Sequence, residues 1–177
     1  MIPTLTGKNV ILRPPREGDA EARFKLGNDV EIFEMFGVSG ADVPQISRDA
    51  ASKWVQGIAG QPHAWIIEAH GELIGVIRLD RVDLRDRRAS MAIGIYDKNA
   101  LGKGLGSEAI SIVLGHAFDT LRLHRIGIRV LSYNHRAIRA YQKCGFVLEG
   151  REREAAFVNG SWHDDVMMGL LASEFAR

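Results

Sequence analysis

The chain has 177 residues, 46% of them hydrophobic, and a formal net charge of +1 at pH 7. This size and composition suit a single folded domain, and no apolar run approaches the roughly 20 residues that a membrane helix needs. The first residues also lack the basic-then-apolar pattern of a signal peptide. One cysteine, Cys144, excludes an internal disulfide or a cysteine-based metal cluster and favours a reducing compartment. We therefore expect residues 1–177 to form one domain that is located in the cytoplasm.

Hydrophobic periodicity predicts a mixed fold of about seven strands and four helices. In chain order, the predicted elements are a strand over 9–13, a helix over 17–26, a helical turn around 30–36, a helix over 47–58, strands over 64–68, 72–80 and 88–96, a helix over 104–120, a strand over 125–131, a helix over 136–143, and strands over 147–157 and 162–171. The segments 69–71 and 159–160 are typical of hairpin turns, the second because it reads Asn-Gly.

A glycine-rich run, Leu-Gly-Lys-Gly-Leu-Gly-Ser over 101–107, stands between a predicted strand and a predicted helix. Such a turn points unpaired N–H groups at one spot beside the positive end of the helix dipole. Gly102, Gly104 and Gly106 allow positive φ and the close approach of a phosphate. The spacing does not match a Walker A loop, and Ser107 stands where the dinucleotide fingerprint needs glycine. The run indicates a phosphate or pyrophosphate site, with a flexible turn as the alternative.

A second motif, N-x-x-A-x-x-x-Y-x-x-x-G-F, covers residues 134–146. Asn134 is suited to N-cap a helix, and Gly145 is placed to end that helix before the next strand. Tyr141 and Cys144 fall on the apolar side of the helix. For Cys144 this placement favours a small buried hydrophobe over a nucleophile.

The two motifs, in the order glycine loop, helix, strand and second motif, together resemble the GNAT superfamily of acetyl-CoA-dependent N-acetyltransferases. The opening Ile-Leu-Arg-Pro over 11–14 and the endings over 159–164 and 167–171 resemble its RimJ/RimL-like branch. The resemblance covers essentially the whole chain. It implies an α/β (α+β) GNAT fold, in which about four helices flank a mixed, mostly antiparallel sheet of about seven strands and two central parallel strands splay apart.

The resemblance further implies acetyl-CoA as cosubstrate. The six histidines show no spacing typical of metal ligands, so we expect no metal site. The residues expected to bind the cosubstrate are Gly94, Ile95, Tyr96, Leu101, Gly102, Lys103, Gly104, Leu105, Gly106, Ser107 and Asn134. Leu101 stands where relatives often have Arg or Gln, which costs a side-chain contact but keeps the backbone cradle. Tyr141 is the expected general acid for the departing thiolate. A core tyrosine is the alternative for Tyr141, as a plain N-cap is for Asn134.

The segment between Asp119 and Glu149 contains no acidic residue. Its basic residues are Arg122, Arg125, Arg129, Arg136, Arg139 and Lys143. A run of this kind usually marks a solvated or phosphate-facing surface, and neutralising a phosphate of coenzyme A accounts for it. A nucleic-acid-binding module is the alternative, but the basic positions alternate with core positions and aromatic side chains are sparse. We expect neither a nucleic acid nor a membrane as partner, and a homodimer stays open.

The general base has no clear candidate in the sequence. Many relatives carry a glutamate inside the central strand, where this chain has Ala92 between Met and Ile. Glu34, His163, Asp164 or a chain of water molecules could replace it. For His163 and Asp164 we favour a structural role in the final hairpin.

The acceptor is expected at the acidic and aromatic segment 28–36, which borders the acceptor cleft in this family. Glu31, Glu34 and Phe36 are predicted to bind a cationic amine. Further contacts are expected from Asp29, Phe33, Met35 and Trp65. The alternative is an amphipathic turn with solvated acids and buried aromatics. The resemblance implies a primary amine, with a peptide or protein N-terminus favoured over a polyamine or aminoglycoside-like amine. A catalytically silent coenzyme A sensor is a further alternative.

Overall fold

The computed structural model describes residues 2–176 and is built around one sheet of eight strands. The strands are β1 (Leu5–Thr6), β2 (Val10–Arg13), β3 (Ala64–Ala69), β4 (Glu72–Asp83), β5 (Arg88–Ile95), β6 (Arg125–Leu131), β7 (Val147–Val158) and β8 (Ser161–Leu171). They lie in the order β1-β2-β3-β4-β5-β6-β8-β7. Neighbours are antiparallel except β5 and β6, which are parallel. The predicted mixed, mostly antiparallel GNAT sheet is confirmed, with β1 as an added edge strand.

Within the described residues, five α-helices connect the strands. They are α1 (Asp19–Leu26), α2 (Val30–Glu34), α3 (Arg48–Ala59), α4 (Leu105–Gly115) and α5 (His135–Lys143). The predicted helix over 104–120 ends its α-helical part at Gly115 and continues as a π-helical turn, His116–Thr120. Side chains cap three of these α-helices: Asp29 accepts from the N–H of Ile32, Ser47 from the N–H of Ala50, and Asn134 from the N–H of Ala137. None of the helices described within residues 2–176 has the length and apolar character to cross a membrane.

The helices divide between the two faces of the sheet. The larger core contains Ile77 and Ile126 from the sheet and Ile110 from α4, with Tyr141 from α5. The smaller core contains Ile58 from α3, and α1 lies beside α3. Because side chains alternate between the faces of a strand, β3 supplies Ile67 to the larger core and Ile66 to the smaller one.

The central parallel strands part after a short pairing. Within residues 2–176, β5 and β6 pair at Arg88 with Arg125, Ala89 with Ile126 and Ser90 with Gly127. Paired strands lie roughly 4.8 Å apart, so the loss of pairing beyond Ser90 opens a gap edged by main-chain N–H and C=O groups. The expected splay of the central strands is confirmed.

Both hairpin turns follow the local sequence. β3 and β4 join through His70 and Gly71, with φ of 52° and 81°. β7 and β8 join through Asn159 and Gly160, with φ of 50° and 79°. Two-residue turns with positive φ at both positions match the right-handed twist of the strands, which explains the Asn-Gly signal.

Candidate functional site

The gap between β5 and β6 forms a cleft of about 820 Å³ that is lined from both faces of the sheet. On one face it is bordered by the start of α4 and by α5, including Gly104 and Tyr141. On the other face it is bordered by the segment that follows α2, including Phe36, and by Arg78 of β4. We call these the α4–α5 half and the α2 half of the cleft.

The glycine loop before α4 supplies main-chain donors to the α4–α5 half. Gly102 and Gly104 have φ of +74° and +79°, and a Cβ atom on either would have no neighbour within 4 Å. Gly104 N-caps α4 without a side-chain hydrogen bond, so the first-turn N–H groups are left to face the cleft. Leu101, Gly106 and Ser107 also line the cleft, whereas Lys103 is exposed and Leu105 packs in the larger core. The open cradle and the helix terminus suit a phosphate.

Residues 94–96, at the end of β5 and just beyond it, line the cleft. Gly94 has no side chain, and a Cβ atom there would lie 3.3 Å from the Phe36 ring and 3.4 Å from the Tyr96 ring. Glycine at this position therefore keeps the passage between the two halves open. The free edge can hydrogen-bond an extended ligand.

Helix α5 contributes Asn134 and Tyr141, which both line the cleft. Asn134 Oδ1 accepts from the N–H of Ala137 at 3.1 Å, and Asn134 Nδ2 donates to the carbonyl of Met35 at 3.2 Å. The side chain is thus an N-cap that also ties α5 to the segment after α2. Burial raises the pKa of Tyr141 to about 12, so its phenol keeps its proton at physiological pH.

Basic side chains surround the α4–α5 half. Arg136, Arg139 and Lys143 project from α5 and line the cleft. Together with the glycine loop they create a positive potential, which favours a ligand with several phosphates. By contrast, Arg125 of the same basic run is paired with Glu149.

The segment around α2 reaches the cleft through fewer side chains than expected. Phe36 lines the cleft and meets Tyr96 edge-on, with ring centroids 5.8 Å apart. Glu31 pairs with Lys98 at 2.7 Å, and Glu34 accepts from Asn159 Nδ2 at 2.8 Å. Both carboxylates lie outside the set of described residues that line the cleft.

Two further side chains expected near the acceptor have local structural roles. Asp29 accepts from the N–H of Ile32, which lowers the pKa of this carboxyl. Trp65 is fully buried in the larger core, and its indole donates to the carbonyl of Pro3 at 2.8 Å. The expectation that Trp65 packs against the acceptor is wrong, because sequence alone did not show which face of β3 this ring occupies.

The final hairpin holds the candidate bases His163 and Asp164 away from the cleft. Asp164 Oδ1 accepts from the N–H of Glu154 at 3.0 Å, which fixes an irregularity in β7. His163 packs edge-on against Tyr133, with ring centroids 4.7 Å apart. These contacts agree with a structural role for both residues.

The next residue, Asp165, lies at the site although the sequence did not predict it. It lines the cleft, is 4% exposed, and pairs with Arg129 Nη1 at 3.2 Å. Among residues 2–176 it is the one acidic side chain in the cleft lining. Because side chains alternate along a strand, Asp164 and Asp165 had to face opposite sides of β8. The pairing of Asp165 with Leu131 of β6 decides which of them faces the cleft.

Known proteins share this architecture. Residues 9–147 match the family model described as Acetyltransferase (GNAT) domain. The protein named "Probable N-acetyltransferase YjcK" from Bacillus subtilis is 31% identical over 175 residues, which cover 94% of this chain and 96% of YjcK. The spermidine N(1)-acetyltransferase of Vibrio cholerae is 34% identical over 108 residues, 61% of this chain and 62% of that protein. The crystal structure of spermidine N-acetyltransferase from Vibrio cholerae in complex with CoA and spermine superposes with a TM-score of 0.78 at 27% identity, covering 95% of this chain and 98% of that one.

Proposed function

Since the chain belongs to the GNAT acetyltransferase family and is an N-acetyltransferase, we propose that its acceptor is the primary amine of a peptide or protein N-terminus, as in the RimJ/RimL-like branch. The observation that carries the choice is the charge of the α2 half. Among the described residues that line the cleft, Asp165 is the one with an acidic side chain, and it is already paired with Arg129. A polyamine carries several positive charges, and binding it favourably would require several unpaired carboxylates.

Acetyl-CoA fits the residues of the α4–α5 half, where it would supply the activated acetyl thioester. We propose that the glycine loop and the basic side chains of α5 hold its phosphates. The unpaired edge of β5 at residues 94–96 would hydrogen-bond the pantetheine arm. The loop geometry supports this assignment, because positive φ at Gly102 and Gly104 leaves open space where side chains would otherwise stand.

We assign the proton transfers to the two halves of the cleft. An amine must be neutral to attack a carbonyl carbon, so a base has to accept its proton. Asp165 is the proposed acceptor of that proton, because it is a buried carboxylate in the cleft lining whose ion pair with Arg129 is made through Oδ2, so that Oδ1 can take the proton. Tyr141 faces the other half and would donate a hydrogen bond to the departing sulfur as the C–N bond forms and the C–S bond breaks.

A second candidate acceptor is a small amine such as a polyamine. The relatives named spermidine N(1)-acetyltransferase support it, since one of them is 34% identical over 108 residues. The two candidates differ in what the α2 half must recognise: an amine at the end of a peptide chain, or several separated ammonium groups.

The experiment is a thiol-release assay with acetyl-CoA and matched sets of N-terminal peptides, polyamines and aminoglycosides, followed by mass spectrometry of the products. We expect peptides to be acetylated on the α-amine. Asp165→Asn should lower kcat/KM by about 10²- to 10⁴-fold at neutral pH while acetyl-CoA binding persists. Turnover of polyamines alone would replace the peptide by the second candidate, and unchanged activity of Asp165→Asn would remove Asp165 as the base.

Three further proposals concern the whole protein. We propose that residues 1–177 form one domain, supported by the single sheet to which the described helices pack. A cytoplasmic location is supported by the lone Cys144, whose thiol donates to the carbonyl of Ser107 at 3.5 Å and whose pKa is raised by burial. A homodimer stays a prediction that sedimentation velocity can test.

A further inference from the structure

On the face of the sheet that borders the α2 half of the cleft, two arginines, Arg78 and Arg129, flank the small residue Ala92. Arg78 of β4 is the register partner of Ala92 of β5. On the neighbouring strands, Ser90 of β5 pairs with Gly127 of β6. Ala92 and Arg129 each lie two residues after one member of this pair. Since residues two apart on a strand share a face, Arg78, Ala92 and Arg129 form a row across β4, β5 and β6. All three line the cleft.

The row lies on the opposite face of the sheet from the glycine loop. Val130, the neighbour of Arg129, belongs to the larger core beneath α4, and so does Ile77, the neighbour of Arg78. The two arginines therefore point away from the α4–α5 half, where the phosphates of acetyl-CoA are assigned. They are placed to contact the other substrate.

Both guanidinium groups retain donors beyond their existing ion pairs. Arg78 uses Nε to donate to both carboxylate oxygens of Asp80, each at 2.9 Å, which leaves its two terminal amino groups to bind elsewhere. Arg129 engages Asp165 through Nη1. The side chains of Arg78 and Arg129 are 40% and 64% exposed, so neither is sealed in the core.

Ala92 leaves the space between the arginines unfilled. Strand neighbours lie roughly 4.8 Å apart, so the Cα atoms of Arg78 and Arg129 are separated by about 10 Å, or by more where β5 and β6 part. Two arginine side chains can converge on one group across that span. Planar guanidinium groups are matched to carboxylate and phosphate oxygens.

We propose that Arg78 and Arg129 form a subsite for an anionic group, a carboxylate or a phosphate, that the acceptor carries close to its reacting amine. The inference rests on the proposed function, because it describes the acceptor of the same acetyl transfer. It narrows the acceptor to peptides with an acidic or phosphorylated residue at the first or second position. The ion pairs with Asp80 and Asp165 hold the two arginines in place. Within residues 2–176 they leave no unpaired carboxylate in the cleft lining for a second ammonium group.

The experiment compares isosteric peptides in the thiol-release assay. The peptides share one sequence and differ by Asp against Asn, Glu against Gln, or phosphoserine against serine within the first two positions; spermidine is the polycationic reference. Each is tested with the wild type, Arg78→Gln, Arg78→Lys and the control Arg85→Gln, which changes an exposed turn residue outside the cleft. Circular dichroism and acetyl-CoA binding verify that each variant is folded.

We expect the wild type to prefer the anionic member of each pair by about 10- to 100-fold in kcat/KM, the range of one charge-assisted hydrogen bond. Arg78→Gln should remove that preference by slowing the anionic peptide far more than the neutral one, Arg78→Lys should restore part of the preference, and Arg85→Gln should keep it. Comparison of the Asp and Glu peptides with the phosphoserine peptide shows whether the subsite prefers a carboxylate or a phosphate. Preference for neutral peptides or spermidine, or equal losses for both members of a pair, would overturn the subsite while leaving the acetyl transfer intact. Release of no thiol with any amine, although acetyl-CoA binds, would instead refute the proposed function.

Discussion

Replacing Tyr141 by phenylalanine removes one hydroxyl group from the cleft and keeps the ring. The ring packs edge-on against Phe146, with centroids 6.0 Å apart, and phenylalanine can retain this contact. The residue is 6% exposed, so the substitution changes little of the surrounding surface. The variant therefore isolates the contribution of the phenol to turnover.

The size of the effect follows from the acidity of that phenol. Burial raises the pKa of Tyr141 to about 12. An ordinary thiol has a pKa near 8.5, so complete proton transfer from Tyr141 to the departing thiolate would cost about 5 kcal/mol at 1.36 kcal/mol per pKa unit. Donation of a hydrogen bond without full transfer is the cheaper route. A hydrogen bond to a charged group contributes about 1.5–3 kcal/mol, which corresponds to a loss of roughly 10- to 150-fold in kcat.

The assay is steady-state thiol release as a function of pH, with acetyl-CoA affinity measured separately. Tyr141→Phe should lower kcat by about 10²-fold and leave cofactor affinity little changed. The wild type should show no alkaline loss of activity from Tyr141 until the pH approaches about 12. Tyr133→Phe is the matched control, because its phenol donates to the carbonyl of Glu34 outside the cleft lining. An unchanged kcat for Tyr141→Phe would show that Tyr141 is a packing residue.

Two predictions concern the stability of the scaffold. Gly75→Ala would place a Cβ atom 2.2 Å from the carbonyl oxygen of Gly94, so we expect a loss of about 1–3 kcal/mol in urea unfolding, while Gly57→Ala in α3, which has open space, should be neutral or stabilising. A wild-type midpoint for Gly75→Ala would contradict the register of β4 and β5. Burial lowers the pKa of His63 and of His116 below their ordinary value of 6.5. The unfolded chain then binds more protons, so the free energy of unfolding should fall as the pH drops below about 6.5. His116→Gln should flatten that slope in urea titrations between about pH 5 and 7.5, and an unchanged slope would refute the assignment.

The features that the sequence predicted best depend on local chemistry. The Asn159-Gly160 hairpin and the N-cap at Asn134 need only neighbouring residues, and both appear where expected. The strand β1 was not predicted, because two residues are too few to show a periodic pattern and only the pairing with β2 defines them as a strand. Asp165 was not predicted at the site for a related reason. The alternation of side chains along a strand shows that Asp164 and Asp165 face opposite sides of the sheet. Which of them faces the cleft depends on the register of β8 with β6, a strand far away in the sequence.

The most direct test of the account is calorimetric titration of acetyl-CoA into the wild type, Gly104→Val and Gly160→Val. Both glycines have φ of +79° and open space where a Cβ atom would stand, so the two substitutions impose similar backbone strain. Gly104 faces the cleft, whereas Gly160 lies in the β7–β8 turn. We predict saturable binding of acetyl-CoA to the wild type and to Gly160→Val, and none to Gly104→Val. Binding of NAD or GTP in place of acetyl-CoA, or undiminished binding by Gly104→Val, would contradict the assignment of the glycine loop.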